Sequence, residues 1–340
     1  MTPIPSSEPA GPPKRALVCG AGGFIGGHLV RRLKREGYWV RGADRKPWGF
    51  GVSPADDFAL LDLRDAAACA EVLDHPFDEV YHFAADMGGA GFVFTGEHDA
   101  EILHSNAQIT LNLVPLAAKH QVGRFFFASS ACIYPAMNQD RPDAAITRED
   151  SAYPADPDSD YGWEKLFGER LCLAFHRNHG LNVRIARLHN VFGPEGAWRG
   201  GREKAPAALC RKVAEAVDGT SVDLWGDGQQ TRSFLYIDEC LDGLRRLMNA
   251  SVVGPLNLGS SEQVTLDELC RRVIAISGKR LEIHHVPGPQ GVRGRTSDNT
   301  LIQSVLGWAP SGTLDDGLAR TYAWVAGQVA QRALLPSEER

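Results

Sequence analysis

The sequence predicts an α/β protein, a doubly wound parallel sheet with a smaller α/β domain beside it. Three observations predict this. A glycine-rich turn joins a short apolar strand to an amphipathic helix near the N-terminus. Strand-like and helix-like segments then alternate to about residue 190. Beyond Asn190 the texture changes to loops punctuated by glycine and proline.

Residues 14–20 read as a buried strand after two charges. Residues 20–27, Gly-Ala-Gly-Gly-Phe-Ile-Gly-Gly, follow, and a helix is expected over 28–36. Gly20, Gly23 and Gly26, with Phe24 and Ile25 between the last two, let the backbone approach a pyrophosphate at the helix N-terminus. The strand over 38–43 ends in Asp44, placed to bind the adenine-ribose hydroxyls. An acid there repels a 2′-phosphate and favours NAD over NADP, with Arg45 weighing the other way.

Further strands are expected at 78–84, 123–128 and 181–188, with helices over 97–120 and 159–179. A helix over 203–217 and a strand over 221–225 come next. The run 233–237 is expected to rejoin the sheet. The domains are accordingly 14–190, rejoined by about 233–260, for the dinucleotide, and 191–232 with 261–330 for the substrate. Loose tails are expected at 1–13 and 331–340.

Tyr161 and Lys165 lie four apart on a helix and so share a face. An ammonium beside a phenol favours the phenolate, lowering a pKa of about 10. With the Ser130 hydroxyl nearby, such a tyrosine can take a proton from a substrate alcohol while hydride leaves its carbon. Cys132, two residues after Ser130, adds a titratable group that an ordinary alcohol dehydrogenase does not need.

The net charge of −6 argues against a general nucleic-acid binder, so anionic ligands must be held by local arginines and lysines. Seven scattered cysteines without a C-x-x-C pair read as reduced thiols in a cytoplasmic protein, and no metal site is expected. His104, His189 and the pair His284–His285 read as structural. No apolar run is long enough to suggest a membrane span.

Longer motifs give a resemblance. They are Ala-Ala-Asp-Met-Gly-Gly (84–89), Ala-Ser-Ser-Ala-Cys-Ile-Tyr-Pro (128–135) and Gly-Gly-Arg-Glu-Lys-Ala-Pro-Ala (200–207). Trp-Gly-Asp-Gly (225–228) follows, with Gln-Thr-Arg-Ser-Phe (230–234) and Gly-Val-Arg-Gly-Arg (291–295). Over these, from about Gly20 to Trp324, the chain resembles the Rossmann-type extended short-chain dehydrogenase/reductases and, among them, the GDP-mannose 3,5-epimerases.

That resemblance implies an NAD-dependent isomerase that oxidises the hexose at C4, inverts C3 and C5 beside the ketone, and reduces C4 again. GDP-L-galactose and GDP-L-gulose are the implied products. It makes Cys132 and Lys204 the acid/base pair, with Tyr161, Lys165 and Ser130 serving the hydride steps. Asp62 joins the implied cofactor contacts. Gly88, Ser130, Ala131, Cys132, Asn190, Glu203, Lys204, Lys212, Gln230, Arg232 and Arg295 are the implied substrate contacts. Arg293 and Arg202 also suit a diphosphate.

A homodimer through the helices at 97–120 and 159–179 is implied by analogy. The loop over 91–104 departs from the plant members beyond Phe92. Two alternatives stand beside this reading. One is another nucleotide-sugar 4-epimerase or 4,6-dehydratase, the latter expected to carry Asp-Glu where Ala131 and Cys132 stand. The other is a non-catalytic dinucleotide sensor on the same fold.

Overall fold

The computed structural model describes residues 11–142, 146–289 and 291–334. Most of the tails expected at 1–13 and 331–340 lies outside these residues, although the last helix continues to Ala333.

One sheet organises the molecule. Its strands are β1 (Arg15–Cys19), β2 (Trp39–Asp44), β3 (Asp57–Leu60), β4 (Glu79–His82), β5 (Arg124–Ser130), β6 (Val183–Leu188) and β7 (Leu256–Leu258). They lie in the order β7-β6-β5-β4-β1-β2-β3, every neighbouring pair parallel. The order reverses between β1 and β4, which opens a crevice at the strands' carboxyl ends.

The helices used below are α1 (Phe24–Arg35), α2 (Asp99–Lys119), α3 (Asp160–His179), α4 (Ala205–Glu215), α5 (Ile237–Asn249), α6 (Leu266–Ser277) and α7 (Leu314–Ala333). Alternation along β1 divides the core. Ala16 and Val18 pack with Leu29 and Leu33 of α1 and Leu241 and Leu244 of α5. Leu17 and Cys19 pack on the other face with Leu113 of α2 and Cys172 of α3. Burial on both faces explains why these strands read as continuous apolar runs. A separate cluster, including Leu209, Val213, Leu269 and Leu318, binds α4, α6 and α7 into the smaller unit.

Three expectations are corrected. Helix α1 begins at Phe24, directly after Gly23, rather than at residue 28. The run 233–237 does not rejoin the sheet. Thr231–Ser233 pairs with Gln263–Thr265 and Gly294–Ser297, and Leu235–Tyr236 pairs with Val191–Phe192. The place beside β6 belongs to β7, where Asn257 makes a buried polar position tolerable. Its side chain accepts from the Tyr134 hydroxyl (2.6 Å), meets His189 Nε2 (3.1 Å) and donates to Thr147 O (2.9 Å), and its N–H donates to Glu149 Oε1 (2.8 Å). Finally, residues 91–104 are only partly loop, because Ala90–Val93 forms one helical turn and α2 starts at Asp99.

A buried ion pair fixes α3 to the sheet. Arg187 on β6 donates from Nε and from a terminal nitrogen to the two oxygens of Glu169 on α3, both at 2.9 Å. The Ser129 hydroxyl of β5 donates to the same carboxylate, and Arg187 also reaches the Tyr134 hydroxyl and Glu149 O. Each group is 2% exposed, and removing one partner of such a pair typically costs about 3–5 kcal/mol.

Two buried histidines make the fold acid-sensitive. Burial holds His82 down at about 3 and His189 down at about 4. The unfolded chain, with histidines near 6.5, therefore takes up protons that the fold refuses. Stability from the neutral rings is present above about 6.5 and is lost as pH falls toward 4. Urea midpoints should fall across that window, and His189→Gln should flatten the slope.

Candidate active site

The carboxyl end of β1 passes into the glycine turn. Gly20 has φ +90°, and a Cβ there would lie 2.8 Å from Ala84 N. A Cβ on Gly26 would lie 2.1 Å from Gly20 O, so α1 can approach the strand only without a side chain at that position. Gly23 is the N-cap of α1 and offers no side-chain cap, which leaves the first helical N–H groups available to an anion. Phe24 and Ile25 open the helix. Asp44 ends β2, and its carboxylate accepts from Gly22 N (2.9 Å) and Lys46 N (3.1 Å). Burial pushes its pKa up while those N–H groups oppose the shift. A glycine cradle, an uncapped helix start and an acid at the end of β2 fit NAD, and these residues would hold it. Asp62 lies just past β3, half-buried and bound by Arg64.

Beside the cradle, β5 delivers Ser130, and one turn (Ala131–Ile133) carries Cys132. The Cys132 N–H donates to Ser130 Oγ at 3.2 Å. Helix α3 starts at its N-cap Ser159 and sets Tyr161 and Lys165 against this turn. Its closeness depends on two glycines that the sequence reading did not single out. A Cβ on Gly162 would lie 2.1 Å from Cys132 O, and one on Gly168 would lie 2.2 Å from the Phe127 ring.

The expected phenolate is not favoured here. Burial raises the Tyr161 pKa well above its usual value. Cys132 and Glu164 push the same way, and only the hydrogen bond with Ser130 opposes them. Lys165 Nζ sits 5.6 Å from the Tyr161 ring centroid and 3.5 Å from Glu164 Oε2, so much of its field is answered by a carboxyl. The helical spacing puts the pair on one face, while the burial of the adjacent Glu164 against Lys165 emerges only in the packed structure.

A cavity of about 230 Å³ opens above these groups. Of the expected substrate contacts, Gly88, Ser130, Ala131, Cys132, Asn190, Glu203, Lys204, Lys212, Arg232 and Arg295 line it, together with Tyr161. Gln230 does not; it is fully buried in the turn before Thr231. Arg295 donates to Cys132 Sγ at 3.3 Å and also binds Gln139 and Asp158. Arg232 donates to Val292 O (2.6 Å), and burial lowers its pKa to about 10. Lys204 is the residue before α4, not its first turn, and burial lowers its pKa against the opposing pull of Cys132 and Cys240. Lys212 donates to Asp223 O (2.8 Å), and Asn190, at φ 36°, donates to Ser233 O (3.1 Å).

Arg293 lies outside the cavity wall, on Asp227. Met87, Phe94, Trp225 and Phe234 supply apolar wall that no motif-level signal marked as such. Of the histidines set aside as structural, His284 and His285 pair with Asp223 and Asp267. Among the described residues no cluster suits a metal ion, and no helix is long and apolar enough to cross a membrane.

The model for the NAD dependent epimerase/dehydratase family matches residues 16–259. The chain belongs to that family. NAD is accordingly its cofactor. Among family members, GDP-mannose 3,5-epimerase of Arabidopsis thaliana is 45% identical over 92% of this chain and 82% of its own. GDP-mannose 3,5-epimerase 1 of Oryza sativa subsp. indica is 44% identical over 93% and 82%. The crystal structure of UDP-glucose 4-epimerase from Thermotoga maritima with UDP-glucose superposes with TM-score 0.83 at 25% identity, covering 93% of this chain and 99% of that one. UDP-glucuronic acid 4-epimerase from Bacillus cereus, with UDP-glucuronic acid and NAD, gives TM-score 0.77 at 26% identity over 92% and 99%.

The cradle makes a direct prediction. Gly26→Ala should destabilise the protein by about 1–3 kcal/mol through overpacking and strip it of NAD. Cofactor content after purification and a urea curve check both parts.

Proposed function

We propose that this chain epimerises GDP-mannose at C3 and C5 through a 4-keto sugar, giving GDP-L-galactose and GDP-L-gulose. The observation that carries the reading is that Cys132 and Lys204 line the same cavity as Tyr161 and Ser130. A 4-epimerase needs the second pair alone. A dehydratase would be expected to present Asp-Glu at the positions of Ala131 and Cys132. The plant relatives carrying the GDP-mannose 3,5-epimerase name support the same choice.

Bound NAD would supply the hydride acceptor for C4 and return the hydride at the end. Tyr161 takes the C4 hydroxyl proton only as its phenolate, a form that burial disfavours and that Lys165 and the positive nicotinamide of bound NAD would favour. Ser130 orients that hydroxyl, and Tyr161 gives the proton back on reduction. The ketone acidifies both neighbouring C–H bonds. Inversion then needs a proton removed from one ring face and one delivered to the other, the task assigned to Cys132 and Lys204. A lysine whose ammonium is disfavoured by burial can exchange protons nearer neutrality than a solvated one. Arg232 and Arg295 hold negative charge of the nucleotide sugar, and Arg295 also faces Cys132 Sγ.

We further propose a cytoplasmic homodimer. The outer faces of α2 and α3 expose Leu103, Leu111, Trp163 and Phe167, between 39% and 44% each, where a second copy would cover them.

The test is incubation with GDP-mannose in deuterated water, followed by NMR. Deuterium at C5, or at C3 and C5, with L-configured products is expected. Cys132→Ala and Lys204→Met should each slow inversion by about 10²–10⁴-fold, and Tyr161→Phe should stop it at both carbons. Absence of exchange in NAD-loaded protein would overturn the reading. The pH profile assigns roles: exchange that uses neutral Lys204 as base rises through a midpoint below the ordinary lysine value, whereas exchange that uses it as acid falls there. Sedimentation of Trp163→Glu/Phe167→Glu should show monomer where the wild type shows dimer.

A further inference from the structure

Asp86, just past β4, takes part in none of the steps above. Its backbone is held by Asn106 of α2: the Asp86 N–H donates to Asn106 Oδ1 at 2.6 Å, and Asn106 Nδ2 donates to Asp86 O at 3.0 Å. Its carboxylate receives two guanidiniums on one oxygen, Arg45 and Arg202, each at 2.9 Å. Burial pushes the carboxyl up, but Arg202 and Arg45 outweigh it and hold the pKa below the usual range.

The two arginines come from opposite sides of the site. Arg45 follows Asp44 at the end of β2. Arg202 lies two residues before Lys204. The segment leading to Lys204 has little of its own to define its path. Gly200 and Gly201 both have positive φ (+88° and +84°), and no other group lies within 4 Å of where their Cβ atoms would be. Its first firm attachments are at Arg202 and Glu203. The Arg202 guanidinium lies 3.9 Å over the Phe92 ring, Gly89 N donates to Arg202 O at 3.1 Å, and a Cβ on Gly89 would lie 2.2 Å from Glu203 O. Arg202 was a candidate diphosphate ligand from the sequence, yet here its charge is committed to Asp86. The Arg202 side chain is half-exposed while the Asp86 carboxylate is largely buried.

We propose that Asp86 is a positioning residue for Lys204, acting through Arg202, with Arg45 steadying the same carboxylate from the cofactor side. The role assigned to Lys204 rests on the epimerase reading; its placement by Asp86 does not. Asp86, together with Gly89 and the Phe92 ring, restrains a glycine-hinged segment just before the residue whose ammonium lies in the cavity. A displacement of about 1 Å there can cost on the order of 10²-fold in rate.

The experiment uses the full-length, NAD-loaded protein and reads Lys204 directly. Wild type, Asp86→Asn and Arg202→Met are treated with an amine-acylating reagent, and peptide mass spectrometry follows Lys204 against the exposed Lys119. Arg202→Met is the safer variant for folding, because that side chain is half-exposed. Lys204 should be acylated at least about threefold faster in both variants as its segment opens locally, with Lys119 unchanged.

In the deuterium assay, both variants should lower exchange by about 10²-fold at the carbon or carbons where Lys204→Met lowers it, in the same C3-to-C5 pattern. Unchanged Lys204 acylation in both variants, or a C3-to-C5 pattern of loss different from that of Lys204→Met, would overturn the proposal. A wild type that exchanges nothing with GDP-mannose would instead remove the epimerase reading, and the acylation rates would still decide the placement.

Discussion

The bidentate contact between Arg187 and Glu169 is the point on which the site depends. It joins β6 to α3 inside the protein, with Ser129 of β5 and the Tyr134 hydroxyl completing the set. Two charges this deep are tolerable only because nearly every lone pair and N–H finds a partner. The contact fixes the angle at which α3 crosses the sheet. Gly162 and Gly168 then let the helix settle against the Cys132 turn and Phe127. The positions of Tyr161 and Lys165 relative to Ser130 follow from those three restraints, since a helix held at two glycines and one ion pair has little freedom left.

Much of this was legible in the sequence where the physics is local. Strand, glycine turn, helix and terminal acid announce the cofactor cradle, because each needs only its own neighbours. The Tyr161–Lys165 spacing needs only helical geometry. The failures were non-local. The run 233–237 looks like a sheet strand in isolation, but β7 was the better occupant of the edge because Asn257 meets partners far away in the chain. The direction of the tyrosine's pKa shift is set first by burial, then by Cys132 and Glu164, and the burial is a property of the packed molecule. Arg202 suits a phosphate by its sequence context, and its pairing with Asp86, over a hundred residues away, is visible only in the fold.

On the proposed reading, the molecule separates two kinds of chemistry by their mechanical support. The groups for hydride transfer sit on the sheet and on a helix locked to it. The groups for inversion are mixed: Cys132 follows directly from β5, whereas Lys204 comes at the end of a glycine-hinged segment of the smaller unit. A sugar that is oxidised, inverted and reduced must present several carbons in turn.

The edge of the sheet at β7 has a consequence for solubility. An open parallel sheet ends in strands whose outer N–H and C=O groups could recruit a strand from another molecule. Strand β7 is only three residues long. Its central N–H is occupied by the Glu149 carboxylate, and its side-chain amide is tied to Thr147. The contacts that place Asn257 in the fold thus also block strand addition, so this border of the sheet is protected against aggregation by the same residue that seats it.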